Sequence, residues 1–293
     1  MRQVKYRGLE IEVPKGSAFG YDTPPPMPKG HMLSIAVGKR GSGKSTAIIN
    51  LIKNMKYDRI FVISPTFKSN SSLMKMLNVE EEDVFENPDD ISCVDAIVNA
   101  VEKERDDLVD YQEKMKKYRH FLSMLNSGNR IPDELLLEFY SGGNFMAPTH
   151  KWGGKRPFMC LLVDDCQGTK LFTSRKLDNL TIRHRHVGAF DDDQPSIGIS
   201  IAYLVQNYKS KSGGISRAIR NNITNAILFK NKDEKELDFI ASELSGEIDK
   251  DMFMKMYQRA TDEPFSFLFV DLHPKDIHPS GFRKNFNVFL VPE

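Results

Sequence analysis

A chain of 293 residues is long enough to bury one large core, and a composition of 40% hydrophobic and 28% charged residues is that of an ordinary folded protein. Lys and Arg number 41 against 40 Asp and Glu, so bulk charge lends no support to a nucleic-acid partner, and any such claim needs a local feature. Cys93, Cys160 and Cys166 are too few and scattered for a disulfide framework, no Cys/His spacing resembles a zinc site, and no apolar run reaches membrane-spanning length. The expectation is a soluble or peripheral protein without an integral membrane segment, in a reducing, intracellular setting.

Residues 1–30 hold a short alternating stretch, Val4 to Val13, then the proline-rich Tyr21 to Gly30, which favours an extended, semi-rigid arm. Met32 to Val37 is a short apolar run ending at Gly38, and Ser45 to Met55, with Ile48, Leu51, Ile52 and Met55 on one face, has helical period. Arg59 to Ser64 is a second β-rich run, so Met32 to Ser64 reads as a βαβ crossover in a parallel sheet. Val101, Leu108, Met115 and Leu122 lie seven apart, with Tyr111, Tyr118 and Leu125 on a second seam, predicting a long amphipathic helix whose charged remainder is a solvated face. Asn126 to Pro132 breaks it, and Asp133 to Tyr140 forms a short helix. Pro157 to Val163, followed by Asp164 and Asp165, and Ile197 to Val205, followed by Gln206 and Asn207, read as buried central strands. Asn225 to Phe229 is a further strand, Glu234 to Leu244 and Asp251 to Arg259 are helices, and Phe265 to Val270 and Asn285 to Val291 are late strands. The fold class is α/β: a mainly parallel central sheet flanked by helices, with one domain over 31–293, a helical insertion at about 95–145 and a C-terminal extension at about 246–293.

The stretch Gly38-Lys39-Arg40-Gly41-Ser42-Gly43-Lys44-Ser45, with Thr46 behind it, has the spacing of a phosphate-binding loop between strand and helix. Glycines allow backbone N–H groups to surround phosphate oxygens at a helix N-terminus. Lys44 reaches the β- and γ-phosphates, Ser45 supplies a hydroxyl to magnesium, and Thr46 lies near the α-phosphate. An apolar strand ending in two acids is the usual partner: Asp164 binds magnesium through water and Asp165 orients or deprotonates the attacking water. Gln206, ending the next buried strand, reads either as a γ-phosphate sensor or as part of a plain Gln-Asn turn.

In this order the motifs resemble the FtsK–HerA superfamily of RecA-like P-loop ATPases, and most closely the poxvirus-like genome-packaging ATPases of nucleocytoplasmic large DNA viruses. The stretches that carry the resemblance are Gly38 to Thr46, Phe61 to Thr66, Leu161 to Cys166, Arg183 to His186, Ser196 to Asn207 and Ile219 to Asn222. It covers most of residues 32–245 and departs in the Asp at the base position and the long inserted helix. The resemblance implies an ATPase with ATP and Mg2+ as cofactors. ATP rather than GTP also agrees with the lack of an Asn-Lys-x-Asp guanine-reading motif. It further implies a homo-oligomeric ring, pentameric or hexameric, that translocates double-stranded DNA into a capsid, with capsid or portal proteins as partners, in a virion or the viral factory of a host cytoplasm.

In such rings an arginine from the next subunit completes the site, which the resemblance maps onto Arg183 or Arg185, with Arg217 and Arg220 as alternatives. His184 and His186 lack a third metal ligand at suitable spacing and read as interface or DNA-facing residues. Lys209, Lys211, Arg217 and Arg220 around Ser212-Gly213-Gly214 read as a basic pore loop or as an ordinary surface loop. The other functions compatible with the sequence are a P-loop kinase or nucleotide-gated switch acting alone, and a structural virion protein that binds ATP without hydrolysing it.

Overall fold

Strand β1 (Leu33–Val37) sends Leu33, Ile35 and Val37 into one apolar cluster and Ala36 into another, the period of two expected of a strand covered on both faces. Strand β6 (Met159–Asp164) does the same, with Leu161 and Val163 on the first face and Cys160 and Leu162 on the second. The computed structural model describes residues 21–292 apart from 71–74, 129, 142, 192–193, 210–213 and 247. Among them the main sheet has nine strands. Strands β8 (Asn225–Phe229), β1, β7 (Ser200–Val205), β6, β2 (Arg59–Ile63) and β3 (Val84–Phe85) run parallel in that spatial order. Strands β9 (Phe267–Asp271), β10 (Phe282–Lys284) and β11 (Val288–Leu290) continue it antiparallel beyond β8.

The predicted crossover from β1 to β2 therefore lies in one parallel sheet, but β7 and β6 stand between its two strands. That insertion brings the ends of β6 and β7, where Asp164 and Gln206 lie, beside the end of β1. Helix α1 (Lys44–Met55) covers one face with Ala47, Ile48, Leu51, Ile52 and Met55. The other face is covered by α2 (Ser92–Asn126), α4 (Arg175–Arg183), α5 (Arg217–Asn222), α6 (Glu234–Leu244) and α7 (Lys250–Ala260).

The long helix exists, yet its seam differs from the heptad reading. Cys93, Val94, Ile97, Val101 and Leu108 are buried against the sheet, whereas Met115 and Leu122 are half-buried and Leu125 is exposed. Beyond Leu108 the helix leaves the sheet, and Phe121 is buried instead. Its partners there are Phe139 of α3 (Asp133–Phe139) and Phe145 of the hairpin formed by β4 (Tyr140–Ser141) and β5 (Asn144–Phe145).

The proline-rich segment is no free arm over its described part; residues 1–20 lie outside the described residues. Tyr21 stacks on Phe158 at 4.4 Å, and its hydroxyl is shared between the Pro157 and Ile197 carbonyls at 2.8 and 3.0 Å. Lys275 donates to the Thr23 and Pro24 carbonyls, and the buried Arg283 donates to that of Pro26. Residues 21–30 thereby clasp the sheet across its parallel and antiparallel parts.

Candidate nucleotide-binding site

Each glycine of the loop after β1 answers a geometric demand. Gly41 and Gly43 have φ of 79° and 98°, the left-handed region that favours glycine, and a Cβ on Gly38 would stand 2.7 Å from Ser42 Oγ and 2.8 Å from Phe229 Cβ. Gly43 is also the N-cap of α1 and offers no side chain to the first-turn N–H groups, and no acid occupies that turn. The helix N-terminus thus keeps its donors and its positive dipole end for an anion. Lys44 Nζ donates to the Lys39 carbonyl at 3.1 Å, which folds the lysine back over the loop. Burial lowers the Lys44 pKa, opposed by the Asp164 and Asp165 carboxylates.

Asp164 closes β6 and is 6% exposed. Burial, then the neighbouring Asp165 carboxylate, raises its pKa to about 6 against the opposing pull of Lys44. Asp165 itself is exposed and has φ of 54°, a turn that aspartate tolerates better than most residues. The chain re-enters the core at Cys166, whose thiol lies 3.2 Å from the Asp164 carbonyl. Gln167 then ties the ends of β6 and β7 together: its Oε1 accepts from the Gln206 and Asn207 N–H groups, and its Nε2 donates to the Asn207 carbonyl.

Arg40, Gly41, Gly43, Lys44, Ser45, Thr46, Asp164, Asp165 and Gln206 line one cavity of about 1130 Å3. Gly38, Lys39 and Ser42 shape the loop without lining it. Ser45 and Asp164 are an all-oxygen donor set that suits magnesium, and a divalent cation relieves the like-charge burial that raises Asp164. Among the described residues no group of three or more His, Cys, Asp or Glu side chains is placed to hold a metal alone, so the fit is to an ion that shares its shell with phosphate and water.

The remaining candidates lie elsewhere. Arg183, the last residue of α4, and Arg185 are exposed at the N-terminal edge of the parallel strands; Arg185 borders a separate cavity with His31, Met32 and Thr224. His184 is a correction to the sequence reading: it is buried, with Nδ1 2.7 Å from the Thr181 carbonyl and Nε2 3.1 Å from that of His31, and serves packing rather than an interface. His186 is exposed.

Arg220 is engaged within its own subunit by Glu243, by the Ile215 carbonyl at 2.7 Å and by the Phe239 ring. Arg217 is exposed at the start of α5. Lys209 lies over the Phe239 ring, while Lys211, Ser212 and Gly213 fall outside the described residues.

The cavity also has a lining that the sequence reading missed. Gln167 lies two residues after the acid pair, past Cys166, a signal within reach of inspection. Phe265, Phe267, Asn285 and Phe286 complete the wall from the other end of the chain. Only the antiparallel register, with Phe229 opposite Phe267 and the Asn285 N–H bonded to the Phe267 carbonyl, brings them to the loop after β1.

No family model and no curated protein matches the chain. Among solved structures it is similar to the genome packaging NTPase B204 from Sulfolobus turreted icosahedral virus 2 in complex with AMPPCP, at 13% identity, covering 90% of this chain and 99% of that one with a TM-score of 0.45. The same protein bound to AMP matches at 11% identity and a TM-score of 0.45, covering 90% and 99%. The pCW3 conjugation coupling protein TcpA, in a monomer form with ATPgS, matches at 16% identity over 87% of this chain and 60% of that one, with a TM-score of 0.37.

Proposed function

We propose that the chain is a magnesium-dependent ATPase that works as a ring and translocates double-stranded DNA into a capsid. The observation that carries the nucleotide chemistry is the single cavity lined by Lys44, Ser45, Asp164, Asp165 and Gln206. Lys44 and the first-turn N–H groups of α1 bind and orient the phosphates, and Ser45 and Asp164 hold the ion. When bound, magnesium supplies charge neutralisation on the β- and γ-phosphate oxygens. Asp165, exposed at the cavity wall, takes the proton of the attacking water, and Gln206, fixed through its backbone by Gln167, reads the γ-phosphate.

The ring rests on the sequence resemblance, and the position of Arg183 and Arg185 decides only which copy's nucleotide they could reach. β1 is five residues long, about 16 Å, and these arginines stand at its far end from the phosphate loop. That is beyond the reach of an arginine side chain toward its own nucleotide, so a role in catalysis requires a neighbouring copy. Translocated DNA and docking to capsid or portal proteins rest on the sequence resemblance.

The test is ATP hydrolysis by the purified protein over a range of protein concentrations, with and without double-stranded DNA, at two salt levels. Turnover that rises more than in proportion to protein and is stimulated by DNA in a salt-sensitive way is expected. First-order, DNA-blind turnover returns a kinase or switch acting alone. Mixing Arg185→Ala with Lys44→Ala protein is expected to restore part of the activity that each lacks, because a mixed ring contains some intact sites.

A further inference from the structure

The antiparallel flank of the sheet holds a feature that folding alone does not explain. Phe265 is 71% exposed, so its ring gains little from burial, yet its backbone has φ of 64°, a conformation rare and strained for a bulky residue. The turn that presents it is held firmly. The Ser266 N–H and hydroxyl both donate to the Glu263 carbonyl, at 3.2 and 2.7 Å, and Lys284 bridges Asp262 and Glu263 at 2.6 and 3.2 Å. The ring lies against the phosphate loop: a Cβ placed on Gly43 would stand 3.5 Å from Phe265 Cδ1.

Strand order gives the direction of a bound nucleotide. Along the C-terminal edge the sequence runs from the acids of β6, through Gln206 after β7 and the loop after β1, to β8 and then the start of β9. Hydrolysis at the acids fixes the γ-phosphate at one end, so the nucleoside end lies toward β8 and β9. There the cavity changes character from charged to aromatic, with Phe265, Phe267 and Phe286, and Asn285 provides an amide beside them. Phe286 is anchored edge-on to Phe267 and Phe269 at 4.9 and 5.5 Å, whereas Phe265 stands clear of the core.

On the nucleotide reading proposed above, we infer that Phe265 is the stacking platform for the nucleobase, with Phe286 and Asn285 forming the remainder of a base pocket built by the antiparallel flank. The ligand class is the planar base of a nucleoside triphosphate. An aromatic face provides affinity for any base, since each has a π-face. The strain at Phe265 keeps the ring presented before ligand arrives, which lowers the ordering cost of binding.

Calorimetric titration of the full-length protein with ATP and with inorganic tripolyphosphate, in magnesium, separates base from phosphate. Phe265→Ala, at an exposed position, is expected to weaken ATP binding by about tenfold or more while leaving tripolyphosphate binding unchanged, and Phe265→Tyr is expected to retain the wild-type ATP affinity. Equal loss for both ligands, or no loss for ATP, overturns the inference. Failure of the wild-type protein to bind either ligand, or ATP affinity indifferent to Lys44→Ala, overturns the nucleotide reading itself and this inference with it.

Discussion

The two edges of the parallel sheet are built to opposite rules. At the N-terminal edge, several polar side chains are bonded inside the fold. Both His184 nitrogens face carbonyls, the Tyr21 hydroxyl is shared by two carbonyls, and Arg156 donates to Pro195 and Ser196 while stacking on Tyr21. Burial there holds the His31 imidazole neutral, with its pKa lowered to about 3. At the C-terminal edge the fold keeps two carboxylates side by side, a lysine held below its ordinary pKa, a helix N-terminus without a capping side chain and a strained phenylalanine. One edge ties several of its polar side chains into the fold, and the other leaves charged groups facing an open cavity.

The largest effect that sharpens this contrast is expected from Lys44→Ala, which removes the lysine that faces the acid pair across the cavity and takes ATP turnover below about a thousandth of wild type. Steady-state phosphate release measures it, and retained turnover removes the loop from the chemistry. Asp165→Asn is expected to keep ATP binding and lower hydrolysis by about a thousandfold. Full activity of that variant moves the base elsewhere.

Asp164 links the edge to pH. Because its pKa is raised from 3.8 to about 6, folding favours the protonated carboxyl; that stabilising contribution is complete at low pH and is lost as pH rises through about 6. Asp164→Asn is therefore expected to stabilise the nucleotide-free, magnesium-free protein at pH 7–8 by up to about 3 kcal/mol, and hardly at all at pH 4. Denaturant unfolding across that range checks it, and a difference that does not vary with pH contradicts it. The smallest effect belongs to the other edge. Tyr21→Phe is expected to cost about 1 kcal/mol of stability with unchanged ATP affinity; a shift in affinity would break the division between the edges.

What the sequence disclosed follows from locality. The helix from Glu234 to Leu244 was legible to the residue because Asp233 accepts from the Lys235 and Glu236 N–H groups and the apolar positions keep strict period. The loop from Gly38 to Thr46 was legible because its geometry is dictated by residues adjacent in the chain. The seam of α2 failed past Leu108 because its partners change from the sheet to the aromatic side chains of α3 and the hairpin, a tertiary choice invisible to a heptad count. β10 was missed because its central residue is Arg283, fully buried beside Asp271 and between two phenylalanine rings, where a charged side chain reads as loop. The aromatic wall was missed for a similar reason: nothing near Phe265 in sequence hints at a phosphate loop more than two hundred residues away.

That separation has a consequence for how the molecule is made. β1 has no bonded neighbour from its own half of the chain: it lies between β7 and β8, and its first N–H donates to a hydroxyl 191 residues downstream. A ribosome that has finished the phosphate loop and α1 has therefore made a segment whose sheet neighbours do not yet exist. Closure of such distant pairings is intrinsically slow, and the apolar face of α1 is not fully covered until β6 and β7 emerge. During synthesis, the loop and helix that follow β1 therefore wait with part of their apolar surface open to a chaperone's cover.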